Sequence, residues 1–148
     1  MGVLLDYPLQ LWAEQQEYFD GLLREFRLLL MSAEQNPGES SAPKELIELA
    51  DMVTRDFGDS IVAINAERAA AHAAGRDRMD SSFPLLDALP ALLDRIGRVL
   101  TASDRFCDEA RMLITARPPH LVQWWEWLHE EMVRQCSGQP PRRWPGPF

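Results

Sequence analysis

Seven residues, Leu92, Ile96, Val99, Ser103, Phe106, Ala110 and Leu113, follow one another at spacings of four, three, four, three, four and three. No other pattern in the 148-residue chain limits its fold so tightly. On a helix these residues form one stripe, whereas on a strand they would scatter over both faces, so this segment can bury its apolar side only as a helix. A parallel row, Leu93, Leu100, Cys107 and Ile114, widens the stripe. A helix this broadly apolar needs at least two packed neighbours, which makes it the centre of a bundle. Pro90 suits its first turn, and Arg117-Pro118-Pro119 ends it, because a residue before proline is disfavoured in the α region.

The neighbours are legible on either side. Pro8 to about Met31 reads as a helix, with Trp12, Phe19, Leu23, Phe26 and Leu30 on one side and Glu14, Glu17, Asp20, Arg24 and Arg27 on the other. Ser32–Ala42, which contains Asn36-Pro37-Gly38, reads as a loop. Pro43 opens a second helix whose stripe is Leu46, Ala50, Val53 and Phe57, and Phe57-Gly58-Asp59 reads as a stop or kink. A third, Ala-rich helix then runs to about Ala74, with Gly75 as its left-handed terminator and a polar loop over Arg76–Ser82. The fifth helix spans roughly His120 to Cys136, with Leu121, Trp125, Leu128, Met132 and Cys136 as its stripe and Gly138 as its stop. β-Branched residues are few and scattered, and nothing reads as a strand. The expected fold is all-α: an antiparallel helical bundle of four to five helices over residues 1–138, with an extended Pro-rich tail over 139–148.

Charge and composition exclude several function classes. Lys and Arg number 15 against 23 Asp and Glu, a net charge of −8 that opposes sequence-independent nucleic-acid binding and docking on an anionic membrane surface. Residues 1–80 hold the whole excess, with 7 basic and 15 acidic side chains, while residues 81–148 carry 8 of each. The acidic half reads as a solvated helical surface or as a face for a basic partner. No stretch approaches the roughly 20 apolar residues of a membrane span, and the start lacks the basic and apolar regions of a signal peptide. Cys107 and Cys136 lie far apart and read as reduced thiols of a cytoplasmic protein.

Catalytic patterns are not found in the sequence. Glu126-x-x-His129 has the spacing of a helical di-iron motif, but neither His72 nor His120 supplies the second copy that such a centre needs. Cys107 falls inside an apolar stripe, which disfavours its thiolate. Asp108-Glu109 and Glu130-Glu131 read as ordinary surface, because sequence neighbours on a helix point apart. The expectation is a non-enzymatic protein without cofactor or metal.

The aromatic residues carry more information. Trp124 and Trp127 share a row with His120 and Glu131 that is rotated off the expected stripe of the fifth helix. Either the tail folds back so that Trp144 or its prolines cover this edge, or the edge binds a protein. On the second reading Trp124, Trp127, Arg134, Arg142, Arg143 and Trp144 form the partner surface, since exposed Trp beside Arg is the composition of interaction hot spots. Another reading is a small-molecule-sensing bundle, with a pocket between helices rimmed by His129 or Arg134. Wide apolar stripes also leave a homodimer open.

Several stretches together carry a family resemblance: Leu22-Leu23-Arg24-Glu25-Phe26, Ser103-Asp104-Arg105-Phe106-Cys107, Pro118-Pro119, Trp127, Val133-Arg134-Gln135, Gly138-Gln139-Pro140-Pro141 and Trp144-Pro145. Across most of its length the chain resembles small actinobacterial helical proteins encoded beside anti-sigma-factor-like ATP-binding proteins and STAS-domain anti-anti-sigma factors. That resemblance implies a regulatory or accessory role in a partner-switching system, with one of those two proteins as partner. The chain has neither the ATP-binding motifs of the first nor the strands of the second.

Overall fold

The computed structural model describes residues 1–33, 41–110 and 113–147. Its elements, in chain order, are β1 (Gly2–Pro8), α1 (Leu9–Ala33), α2 (Ser41–Ala73), β2 (Arg78–Phe83), α3 (Leu89–Ala110) and α4 (Pro119–Cys136). The fold is therefore mostly helical but mixed α/β, and the all-α expectation is corrected by an antiparallel pair of strands.

The strands join segments some 80 residues apart. Gly2 pairs with Phe83, Leu4 with Ser81 and Pro8 with Arg78, so β2 occupies most of what reads in the sequence as a polar loop. An irregularity between Leu4 and Tyr7 is where Asp6 adopts φ 55°, a left-handed conformation that Asp tolerates better than most residues. Two strands alone are marginal in water. Here Leu4, Tyr7 and Phe83 are buried with Leu121, Trp124, Leu128 and Trp144, so α4 and the tail supply the apolar cover that the pair needs.

One continuous α2 replaces the second and third helices expected from the sequence. Gly58 does not break it: Val53, Phe57, Ile61, Ile64 and Arg68 line one groove, so the same helical face continues straight through the glycine. Gly75 has φ 80° and Gly138 φ 83°, and these left-handed glycines follow α2 and α4. At the other end of the bundle α3 is described to Ala110, residues 111–112 lie outside the described residues, and Leu113, expected on the stripe, is not helical and is 96% exposed. The amides of Leu113 and Ile114 instead donate to the two oxygens of Glu25 on α1, both at 3.2 Å. Of the expected loop over 32–42, residues 34–40 lie outside the described residues, while Ser32 and Ala42 are helical.

The core falls into two clusters with α4 between them. One gathers β1, the start of α1, α4 and the tail; the other contains Leu22, Phe26, Leu46, Val99 and Cys107 from α1, α2 and α3. On α4 the buried residues are Leu121, Trp124, Leu128, Glu131 and Gln135, which corrects the expected stripe through Trp125, Met132 and Cys136. Trp124 is 0% exposed and meets Tyr7 edge-to-face at 5.4 Å, while half-buried Trp125 packs against the second cluster. Among the described residues no helix is long and apolar enough to cross a membrane.

Candidate functional site

The six residues expected to bind a partner lie at one end of the molecule, engaged with one another and with β1. Glu131 is their hub. Its side chain is fully buried, which corrects its reading as surface, and its two oxygens accept four hydrogen bonds. Oε1 accepts from the Arg142 amide at 2.8 Å and from Gln135 Nε2 at 3.0 Å. Oε2 accepts from Arg142 Nε at 2.9 Å and from Arg134 Nη1 at 3.0 Å. Burial alone would raise the carboxyl pKa. The hydrogen bonds from Arg142, Gln135 and Arg134 outweigh that effect and hold it below the ordinary glutamate value.

The tail is fastened to the domain beyond Arg142. Arg143 pairs with Asp6 at 2.7 Å, and the Trp144 amide donates to the Leu5 carbonyl at 3.2 Å, forming a parallel bridge on the free edge of β1. Trp144 is buried and meets Trp127 edge-to-face at 5.3 Å. Gln135 supports the same edge, taking the Val3 amide at 2.9 Å and donating to the Val3 carbonyl at 2.8 Å. Trp124 and Trp144 thus present almost no surface, whereas Arg142 and Arg143 keep exposed side chains beside their carboxylate partners.

Open surface lies elsewhere, in two grooves that the reading of Trp and Arg residues missed. One runs between α2, the segment after β2, and α3. It encloses about 230 Å³ and is lined almost wholly by apolar side chains, including Phe57, Ile61, Ile64, Leu92 and Ile96. Leu86 also lines it and is 39% exposed. Besides exposed Ser60, its polar members are committed: Asn65 accepts from Trp12 Nε1 at 3.2 Å, and Arg68 donates twice to Ser81 while lying 4.3 Å over the Tyr7 ring. The continuous α2 stripe was the available signal, hidden by the supposed break at Gly58.

The other groove, of about 650 Å³, separates α3 from α4. Asp94 faces His129 across it at 2.8 Å, and Gly97 faces Trp125, whose Nε1 would lie 3.5 Å from a Cβ at that position. Farther along, Arg105 and Arg117 line the opposite end. Arg117 is pinned by Asp104, which accepts from its amide at 3.0 Å and its Nη2 at 2.9 Å. Its Nη1 is buried and finds no partner among the described residues. His129, expected as a pocket rim, lines this groove; Arg134 belongs to the Glu131 hub instead.

The remaining chemistry is quiet. Among the described residues no group of three or more His, Cys, Asp or Glu could hold a metal ion. Burial and the nearby carboxylates of Asp104, Glu25 and Asp108 push the Cys107 thiol up to about 11, so it stays protonated near neutrality. No family model matches the chain, and neither a curated protein nor a solved structure matches it.

Proposed function

We propose that the chain is a non-enzymatic regulatory or accessory protein that binds a protein partner in the cytoplasm. The observation that carries this reading is the apolar groove across α2 and α3. An amphipathic helix of a partner could lay its apolar face there, reading the groove through side chains at i, i+3, i+4 and i+7. Trp144 of the tail and Trp124 and Trp127 of α4 are already occupied by intramolecular contacts, so this groove offers the larger unclaimed apolar surface. The resemblance to proteins encoded beside anti-sigma-like ATP-binding proteins and STAS-domain proteins supplies the two partners to try.

Capture of either purified neighbour by the folded chain tests the reading, with Leu86→Glu and Ile61→Glu as groove variants. Each should weaken capture about tenfold or more, as loss of a buried apolar anchor does. Leu86→Glu should leave the unfolding midpoint nearly unchanged because Leu86 is already 39% exposed. Failure of the intact, folded chain to bind either neighbour would sink the reading.

A further inference from the structure

The groove between α3 and α4 has a polarity that the helical register explains. The bond between His129 and Asp94, and the apposition of Trp125 to Gly97, show that α3 and α4 run antiparallel along it. The pairs facing each other are therefore Asp94 with His129, Gly97 with Trp125, Thr101 and Ala102 with Val122, and Arg105 with the Arg117 end. Among the lining residues the carboxylates are Asp94, engaged by His129, and Glu126 on the neighbouring turn of α4, while Asp104 holds Arg117 at the opposite end. Arginines line the middle and the opposite end. Arg98 and Arg105 stand one turn either side of Thr101, both line the groove, and both lack an ion pair among the described residues. Arg24, Arg76 and Arg95 likewise lack one among the described residues, so what distinguishes Arg98 and Arg105 is that both line a single groove.

Two further observations point to a ligand there. The buried Nη1 of Arg117 makes no hydrogen bond among the described residues, although the side chain is only 5% exposed and its other nitrogens are held by Asp104. An unmet buried donor is costly, and an anion in the groove would satisfy it only if the Arg117 side chain turned toward it. Trp125 is half-buried, with its indole against Gly97, where a Cβ would make an ordinary contact 3.5 Å from Nε1, and its ring lies 6.1 Å from that of His129. This arrangement leaves a fixed aromatic platform one helical turn, about 6 Å, from the level of Thr101.

We propose that this groove binds a small organic anion carried on a planar ring, with the ring stacked on Trp125 and the anionic group held by Arg98, Thr101 and Arg105 beside Arg117. The shared chemistry is a ring joined by a short linker to a phosphate or a carboxylate, and the proposal is independent of the partner groove on α2.

Calorimetric titration of the full chain tests it with four probes: adenosine monophosphate and indoleacetate as ring-bearing anions, inorganic phosphate and acetate as their ringless counterparts. At least one ring-bearing anion should bind saturably and about tenfold tighter than its counterpart, since stacking on an aromatic contributes on that order. Arg98→Gln with Arg105→Gln should weaken binding about tenfold or more, the worth of a charge-assisted hydrogen bond. Both side chains lie at exposed positions, so the unfolding midpoint should hold. Trp125→Leu should erase the advantage of the ring, while Arg95→Gln, outside the groove, should change nothing. No saturable binding of either ring-bearing anion to folded protein would overturn the proposal, as would equal weakening by Arg95→Gln.

Discussion

At the scale of single residues, Glu131 joins α4, β1 and the tail. A buried carboxylate is tolerable only when its lone pairs are met, and all four are, with two of the donors guanidinium groups. Glu131→Gln keeps the shape but removes the charge that Arg134 and Arg142 face, and one amide nitrogen would then oppose their donors. The expected cost is about 2–3 kcal/mol in urea unfolding at pH 7, below the full value for a buried pair because Arg142 is partly solvated. The pH dependence follows from the lowered carboxyl pKa. Above the unfolded glutamate value, about 4.3, the ionised hub contributes its full stability. As pH falls through the lowered folded value, the unfolded chain takes up the proton first and that contribution is lost. Between about pH 5 and pH 3 the wild type should therefore lose more stability than Glu131→Gln, and parallel curves for the two proteins would contradict the assignment. Nothing in Glu130-Glu131 announces this role, because the donors come from the tail and from neighbouring turns.

At the scale of elements, legibility tracked the range of the interactions that hold each one. α3 was legible because its seven-residue stripe is a local pattern, and only its last turn was overrun, where Glu25 of α1 takes the amides of Leu113 and Ile114. β1 and β2 were not, because Arg78-Met79-Asp80-Ser81-Ser82-Phe83 has little strand propensity and is held by a partner about 80 residues away. The Trp124 edge was half-legible: Trp127 and Trp144 do meet, but the buried row passes through Glu131 and Gln135, polar residues that are buried only because β1 and the tail bond them. The grooves were legible only in fragments, the α2 stripe for one and His129 for the other, since each needs the relative placement of two helices. The undivided α2 yields its own prediction. An interior glycine costs about 1 kcal/mol relative to alanine, and a Cβ at Gly58 would meet only Thr54 Cγ2 at 3.8 Å, an ordinary contact. Gly58→Ala should raise stability by up to about 1 kcal/mol, whereas a break at Phe57-Gly58-Asp59 would make the same substitution neutral or harmful. Thermal unfolding distinguishes the two.

At the scale of the whole molecule, the tail brings the last described residues back onto the first strand. Arg143 reaches Asp6, the Trp144 amide reaches Leu5, and Gln135 brackets Val3, so β1 lies between β2 on one edge and this clasp on the other. The arrangement also divides labour by surface. The clasp uses up the tryptophan-rich end and leaves the two grooves, one apolar and one cationic at its far end, on the helices that the strand pair and clasp brace. If the clasp supports the fold in this way, Trp144→Ala should do more than free a tail. Loss of a buried tryptophan costs about 3–5 kcal/mol where the structure cannot adjust, and a terminal segment that can detach should bring the figure nearer 2–3 kcal/mol. Domains of this size are stable by only about 5–15 kcal/mol, so the midpoint of unfolding should drop by several degrees. Amide exchange should quicken at Val3–Tyr7 and at the paired residues of β2, and much less in α3, which owes its burial to the other core cluster. An unchanged midpoint with unchanged exchange in β1 would mean that the tail rests on the domain without bracing it.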